Sequence, residues 1–562
     1  MPYIILAEIT YSGGVLRFCT GKGYNAPTAP GYYSPRIQPN GTFTRNLWTG
    51  ATESQTIGTL TPANGAPIAS GMPGMITNAA LGGSGSSGWG DLLVSHLDAD
   101  PSGNQNLLGL LASGIAFDGY PATLLIGEET AAYSTFVPWF SGTVEQMIPS
   151  NNGYTFRLRD PLVGVIEQPI GNAKYLGGDT GYVGVEGLDT TIRYQWKPTG
   201  YGYADNASAI MCNSSKRIYQ AFDYTGTVVK VYDGGVSITA GTNQASLALL
   251  LSTAPAAGTF DWYGGADGTW FKLGTPAAKA VTFDGYTGGS GYRTAAQIWN
   301  RVLTERCGVS SGSISSADLT ALDTATSSAE LSGVWYSGGG SRKDALDKAA
   351  ASVGAAWWVS PLGVYRIKQI TAPAVTADVT LRAMSLTNQA GINDIDIIDF
   401  QWVADNGGLW GVPPHTVSLS HAVNLTVENE GTLNGDKTSL TDAVGGLDRR
   451  LWLGQSTRQA VGTKDTSTAA LHKLSTEAQA DTWLRNLSDA VAEANRRQAV
   501  LVALRRPSQC TVPFTPAVAS QLDLAKTVSL YHPAFSLNGV NMLVVAMSVD
   551  LFNNTIQLTL RG

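Results

Sequence analysis

Period-two alternation of apolar and polar residues dominates this chain. In the stretch Met542 to Gly562, Leu543, Val545, Met547, Val549 and Leu551 alternate with smaller or polar residues. Asn553 and Asn554 follow, and then Ile556, Leu558 and Leu560 alternate with Thr555, Gln557, Thr559 and Arg561. Alternation on both sides of an Asn-Asn pair predicts a β-hairpin with one buried face, because Asn tolerates the positive φ of tight turns. Residues 139 to 160, WFSGTVEQMIPSNNGYTFRLRD, repeat the arrangement around Asn151-Asn152. Phe156-Arg157-Leu158-Arg159 there matches Leu558-Thr559-Leu560-Arg561 at the end. A short apolar strand precedes each hairpin, within FDGYPATLLIGEE from Phe117 and within LDLAKTVSLYHP from Leu522. The chain therefore reads as carrying two related small β-barrels, one early and one last.

Between them the pattern changes twice. Residues 1–168 are strand-like throughout, and 169–289 are a further β region rich in Gly, Tyr and Trp. From Thr294 a helical period takes over, with Ala295, Ile298, Trp299, Val302 and Leu303 on one face, Thr294 as N-cap and Gly308 past the end. A second helix starts at Ser341, three residues before Asp344, with a stripe of Leu346, Ala349, Ala350 and Val353. AAWWVSPLGVYRIKQI then reads as strand, turn, strand. The longest helix is expected from Thr476 to Arg497, with Trp483, Leu484, Leu487, Val491 and Ala494 buried, followed by AVLVAL as a strand. The fold class is mainly β with an α+β insert, in a multi-domain chain. The expected domains are a first barrel over 1–168, an inserted β domain over 169–289 and an α+β domain over 290–385. A second barrel over 386–562 carries a helical insertion around 475–497.

Length and composition sharpen the picture. With 562 residues the chain exceeds one ordinary core. Only 14% of residues are charged, and Gly accounts for 65 positions, a strand-and-turn composition whose low charge fits extensive cover by partners or a neutral secreted β protein. A net charge of −7 argues against a protein whose main task is to grip nucleic acid. Cys19, Cys212, Cys307 and Cys510 are widely separated, without metal-ligand spacing, and read as free buried thiols of a protein folded in a reducing cytosol. The start, MPYIILAEIT, has the marks of a first strand and of neither a signal peptide nor a membrane anchor.

No candidate chemistry stands out. Gly83 to Gly88, GSGSSG, matches a dinucleotide fingerprint, but an alternating strand follows where a helix is required, so a hairpin loop is the better reading. Ser310 in GVSSG follows a helix end, not the strand that a nucleophile elbow needs. His96, His415, His421, His472 and His532 include no helical metal pair. Carboxylates such as Asp98, Asp100, Glu128, Glu129 and Glu145 leave a glycosidase pair open, and the 14 Trp and 22 Tyr leave a sugar-binding surface open. The basic pairs Arg449-Arg450, Arg496-Arg497 and Arg505-Arg506 read as solvated or rim positions. No catalytic residue, cofactor or metal ligand is assigned, and the expected role is structural and non-enzymatic.

Several motifs in order resemble the tail hub proteins of bacteriophages. YYSPRIQPNGTFTRNLWTG, GWGDLLVSHLDADPSGNQNLLGLLASGIAFDGYPATLLIG and FSGTVEQMIPSNNGYTFRLRDPL resemble that family's first barrel. TAAQIWNRVLTERCG and RKDALDKAAASVGAAWWVSPLGVYRIKQI resemble its α+β domain. The stretch from Leu522 to Gly562 resembles its second barrel. His96-Leu97 departs from the Asn-like turn expected there, and 169–289 and 403–475 are least matched.

The resemblance implies a homotrimeric hub at the distal end of the tail. Three chains with two barrels each present six barrels to a sixfold tube, while the other domains keep threefold symmetry for a central fibre or spike. Implied neighbours are a distal tail or tail tube ring, a tape measure protein, a central fibre or spike protein and other baseplate proteins. DNA passes only transiently, sliding along a bore with little positive charge, and this chain enters no membrane. The protein would be made and assembled in the bacterial cytoplasm and reside in the virion. A spike or lytic domain, which follows the last barrel in many relatives, is expected as a separate protein. Candidate interaction residues are the aromatics Trp48, Trp139 and Phe140, expected to be exposed, and Gly83, Gly85 and Gly88, in a loop expected to reach an adjacent ring. One alternative is a receptor-binding or polysaccharide-degrading tail protein, which should show β-helix or propeller repeats, and neither is evident; another is a tail tube or distal tail subunit, which would usually be shorter and would not need a paired barrel with an α+β insert.

Overall fold

A computed structural model describes residues 3–562 apart from 21–22, 27–30, 34–41, 47–82, 85, 89–90, 96–113, 151–152, 160–162, 178–183, 188–191, 361, 384–393, 404–411, 430, 435–442, 445–446, 504–505 and 551–552. Trp48, Gly85, His96, Leu97, Asn151 and Asn152 thus lie outside the described residues.

The first barrel grows from alternating strands. They are β1 (Tyr3–Tyr11), β2 (Gly14–Cys19), β3 (Thr42–Asn46), β4 (Gly83–Ser84), β5 (Ser86–Gly88), β6 (Asp91–Ser95), β7 (Pro121–Glu128), β8 (Val137–Ser150) and β9 (Gly153–Arg159). Six of them form one antiparallel sheet in the order β2-β1-β7-β8-β9-β6. Leu16 and Phe18 from one end of the sheet share a core with Leu92 and Val94 from the other. The sheet is therefore curled on itself, which hides its inward apolar set without a second layer. The FSG of the motif has a packing reason. A Cβ on Gly142 would stand about 2.5 Å from the Arg159 carbonyl oxygen and overlap the Phe140 ring.

Residues 203–287 form an eight-stranded sheet. Its strands are β10 (Tyr203–Ser208), β11 (Ile210–Asn213), β12 (Ile218–Phe222), β13 (Gly226–Asp233), β14 (Val236–Asn243), β15 (Thr259–Gly265), β16 (Gly268–Leu273) and β17 (Val281–Thr287). The order is β10-β17-β13-β14-β15-β16-β12-β11, folded over a core of Phe222, Phe260, Phe271 and Phe283.

Helix α1 (Ala295–Arg301) starts at Thr294 with a full capping box, closed by Gln297. α2 (Ser316–Ala325) has no counterpart in the predicted elements. Its apolar side chains are few, and it is held by the Ser315 N-cap and by packing on the next hairpin. α3 (Arg342–Ser352) starts at Ser341, whose side chain accepts from the Asp344 N–H, as predicted. β18 (Ala355–Val359) and β19 (Tyr365–Gln369) form the expected hairpin, with every residue of β18 buried.

The last barrel contains β20 (Val379–Ala383), β21 (Ile395–Ile397) and β22 (Asp399–Trp402). An excursion follows through β23 (Thr416–His421), β24 (Arg458–Val461), β25 (Glu477–Ala480) and α4 (Leu487–Ala503). The chain then returns through β26 (Pro507–Pro513), β27 (Thr527–His532), β28 (Leu537–Asp550) and β29 (Thr555–Arg561). The sheet order is β21-β20-β27-β28-β29-β26-β22. β21 and β22 are consecutive in sequence, yet they border opposite ends of the sheet, so the barrel nearly closes.

The predicted helix from Thr476 is corrected. Residues 477–480 are a strand paired in parallel with Thr416–Leu419, and α4 starts at Leu487 and takes in most of the stretch predicted as a strand. The helix propensity of Glu-Ala-Gln-Ala yields to a sheet edge that places Ala478 in the core. Val500 and Leu501, β-prone by type, stay helical because they lie on the same buried face as Ala494 and Arg497.

The two barrels share a three-strand unit at fine grain. β8 and β28 are both 14 residues long, and β9 and β29 are both 7. A 3-10 turn precedes each long strand, Tyr133–Thr135 in one and Pro533–Phe535 in the other. Each long strand bulges after its eighth residue, between Val144 and Gln146 and between Val544 and Ala546. The same backbone bonds fix the bulge. Val144 N–H donates to the Tyr120 carbonyl and the Val144 carbonyl accepts from Gly119 N–H, while Val544 N–H donates to the Lys526 carbonyl and the Val544 carbonyl accepts from Ala525 N–H. At the second hairpin Asn554 has the positive φ of 52° expected for a tight turn. The copies differ in their outer neighbour, since β1 is antiparallel to β7 and β20 is parallel to β27.

Candidate assembly surface

The two barrels meet directly. Trp139, at a bulge within the pairing of β8 with β7, packs edge-on against Phe514 of the second barrel, with ring centroids 5.3 Å apart. Trp139 is half-buried and touches the cores of both barrels. It thus joins the two barrels of one chain, where an exposed contact with a neighbouring chain was expected. Trp139→Ala is expected to cost roughly 1–2 kcal/mol, from lost apolar contact and the edge-on pair. A double-mutant cycle with Phe514→Ala should return a coupling of roughly 1 kcal/mol. Independent effects of the two changes would show that the ring pair contributes nothing.

Phe140 does not match the expectation of exposure. It is 1% exposed, inside the first barrel's own core. Its register is the reason, since Phe140 lies opposite Leu124, a member of the same core, on the regular ladder beyond the bulge. Gly83 and Gly88 sit on strands that bind their own chain. β4 joins the α+β hairpin, with Gly83 opposite Ala356. β5 pairs with β3, with Gly88 opposite Thr44. β3 in turn lies along β28 of the second barrel, from Ala546↔Asn46 to Asp550↔Thr42. A strand from the first-barrel half therefore extends the second barrel's sheet by β-augmentation.

Ionic contacts fasten the other units. The guanidinium of Arg366 on β19 binds Asp318 of α2 twice, at 2.7 and 3.1 Å, and Asp523 of the second barrel once, at 2.7 Å. Arg496 and Arg497 of α4 grip Glu493 and reach the last carbonyls of α3. Arg449 is 1% exposed over the Tyr232 ring and 3.5 Å from Asp284. Arg497 and Arg449 therefore are not the solvated positions expected of paired basic residues. Arg497 is received by Glu493 and by the distant Ala351 and Ser352 carbonyls, whereas Arg449 is held mainly by the Tyr232 ring, with Nη2 3.4 Å from Asn206 Oδ1. Asp205, paired with Arg485, has its pKa raised to about 6 by burial against the pull of that arginine.

Among the described residues no reactive constellation accompanies these contacts. Among the described residues no group of three or more His, Cys, Asp or Glu is placed to hold a metal ion. Burial pushes the thiols of Cys19 and Cys307 up to about 11 and those of Cys212 and Cys510 up to about 12, which disfavours the reactive thiolate. Burial lowers the pKa of the His421 ring, and His532 packs in a cluster of three rings with Phe400 and Phe535. Ser310 precedes a 3-10 turn, with no strand leading into it. A cleft of about 300 Å³ in the inserted β region is lined by Asp233, Val236, Ile238, Leu273 and Pro276 among others. It has no aromatic platform, and both Asp233 oxygens already accept from the backbone N–H groups of Ala278 and Lys279. Among the described residues no helix is long and apolar enough to cross a membrane.

No family model matches the chain, and no curated protein matches it. Solved structures do. The chain is similar to phage tail proteins. One is a tail protein from Neisseria meningitidis MC58, at 9% identity and a TM-score of 0.39, covering 100% of this chain and 97% of that one. Another is the 43 kDa tail protein of prophage MuSo2 from Shewanella oneidensis, at 10% identity and 0.38, covering 100% and 98%. A third belongs to the virion of a native gene transfer agent particle, at 11% and 0.38, covering 71% and 91%.

Proposed function

We propose that this protein is a structural subunit of a phage-type tail, the trimeric hub at its distal end. One observation carries the reading: a single chain holds two barrels with the same three-strand unit and the same bulge, joined side by side. A duplicated barrel has a mechanical use where sixfold and threefold parts must meet. Three copies present six equivalent barrels to a tube ring, while the unduplicated β and α+β regions keep threefold symmetry for a central fibre or spike. The order of motifs that resembles tail hubs agrees with this use. So does the low charge, which leaves few cations to hold DNA passing through a central channel. Neighbours in this reading are the tail tube or distal tail ring, the tape measure protein, the fibre or spike and other baseplate proteins.

Light scattering on the purified protein tests the reading. The expected species has three times the 59.0 kDa mass of the chain, with a ring of six similar lobes on imaging. A strict monomer at every concentration would overturn the trimer and favour a receptor-binding or polysaccharide-degrading tail protein, for which glycan binding is the next assay.

A further inference from the structure

Residues 424–429 and 431–434, in the excursion from the second barrel, hold the inserted eight-stranded sheet largely through polar groups. Asn206, at the bulge of β10 and with a φ of 54°, is aimed at them. Its buried amide nitrogen stands 3.0 Å from the Asn424 side-chain oxygen, 2.7 Å from the Thr426 carbonyl and 3.3 Å from a Glu428 oxygen. Leu425 N–H donates to the Asp205 carbonyl and Asn434 N–H to the Gly234 carbonyl. The Lys279 ammonium donates to the Gly431 carbonyl. The sheet's attachment to the α+β module differs in kind. Thr199–Tyr201, just before β10, pairs with Val334–Tyr336, and Trp335 enters the sheet's own aromatic core. A segment held by polar contacts opens more readily than one held by a ladder and a buried core.

Within the polar contact one carboxyl lacks a counter-charge. Glu428 is 4% exposed. Among the described residues no cation pairs with it, and its Oε2 has no hydrogen-bond donor. The turn at Gly235 closes over that oxygen, where a Cβ would stand 3.6 Å away. The cations nearby are engaged elsewhere. Arg485 binds Asp205 at 3.2 and 3.3 Å. Arg449 stands 3.5 Å from Asp284, which lies opposite Lys230. Arg293 pairs with Glu330 at 3.4 Å. A buried carboxylate without a cation is costly, and the neutral acid avoids that cost.

We infer that this segment is a clasp that closes on the inserted sheet with uptake of one proton from water, carried by Glu428. Burial pushes the Glu428 carboxyl up from its ordinary 4.5, and the Asn206 bond, the Arg449 charge and Thr282 pull it back only in part. The closed form therefore binds a proton that the open form releases. Closure strengthens as the pH falls through the closed-form value and is strongest below 4.5. Asp205, raised to about 6, acts with the same sign. His421, on β23 before the clasp, is lowered by burial beside the Arg485 backbone and the Arg458 charge, and its protonation acts the other way. At higher pH Glu428 is charged, the clasp opens more often, and the sheet is left on its attachment at Thr199–Tyr201.

Hydrogen exchange of the Leu425 and Asn434 amides, corrected for the intrinsic effect of pH, reads the opening. Glu428→Gln keeps the shape and removes the charge. At about pH 8 Asp205 is charged and His421 neutral in both proteins, so Glu428 alone sets the difference. There the variant is expected to protect these amides about tenfold or more better than the wild type, since each pH unit between the closed and open values is a factor of ten. Near 4.5 the two should converge. Equal protection at pH 8 overturns the clasp. Infrared titration of the wild type with ¹³C-labelled Glu, its Glu428 band identified by loss in the variant, decides the case where glutamine loosens the packing. That carboxyl should lose its proton above 4.5, and loss at or below 4.5 overturns the inference. Neither readout depends on the trimer.

Discussion

Arg497→Ala destabilises the protein by about 3 kcal/mol or more, the scale for removing one partner of a buried ion pair. Arg497 is 0% exposed. Its Nε donates to Glu493 at 2.7 Å, four residues earlier on α4, and its Nη2 donates to the carbonyls of Ala351 and Ser352 at 2.5 and 3.2 Å. Those carbonyls end α3, where a helix leaves acceptors unpaired and its dipole favours a cation. Arg496 adds bonds to Glu493, Val353 and Ile370. Alanine thus leaves the Glu493 carboxylate to Arg496 alone and removes the donor from the two carbonyls that end α3. Arg497→Met with Glu493→Gln removes both charges and should recover part of the loss. Urea unfolding measures both; a loss below about 1 kcal/mol for the single change would show that water or Arg496 replaces Arg497.

The same cluster has a pH signature. Burial pushes the Glu493 carboxyl up, but Arg497 and Arg496 outweigh it and hold its pKa below 4.5. Folding therefore gains from this group above its unfolded pKa, and the gain is lost as the pH falls through the folded value. Glu493→Gln should flatten the stability profile in that acid range and leave its neutral slope unchanged.

Arg366→Ala is the second large effect, about 2–3 kcal/mol. Its side chain remains 25% exposed, so the loss is smaller than at Arg497. Asp318 and Asp523, 8% and 15% exposed, would then face each other's units without a cation. Because Asp523 lies in the second barrel and Asp318 in the α+β module, the expected result is earlier separation of these two units in urea. Arg366→Lys should rescue only part, since an ammonium cannot reproduce the bidentate grip on Asp318. An unchanged unfolding midpoint in Arg366→Ala would remove the clamp from the account.

Local pattern carried a good deal of the architecture. Alternation around Asn553-Asn554 marks a hairpin because a strand's period of two must place one set of side chains inside. The same reasoning applied to residues 139–160 found the duplicated barrel. Thr294 and Ser341 were legible as helix starts because a cap is satisfied within a few residues of itself. α2 escaped notice, because a helix with few apolar residues has no stripe to read.

The assembly surface was much less legible. Phe140 and Trp139 are adjacent aromatics, and only the side of the strand each occupies makes one a core residue and the other a link between barrels. Arg497 and Arg449 looked like surface charges because, Glu493 apart, the acceptors Ala351, Ser352 and Asp284 are more than 140 residues away in the chain. Residues 477–480 have helical composition and become a strand because β23 offers an unpaired edge. Short-range order, meaning strand period, turn chemistry and caps, is written in neighbouring residues because its energies come from neighbouring residues. Which edge is filled, which charge is buried and which aromatic joins two barrels depend on contacts between distant segments, and these exist only once the chain has folded.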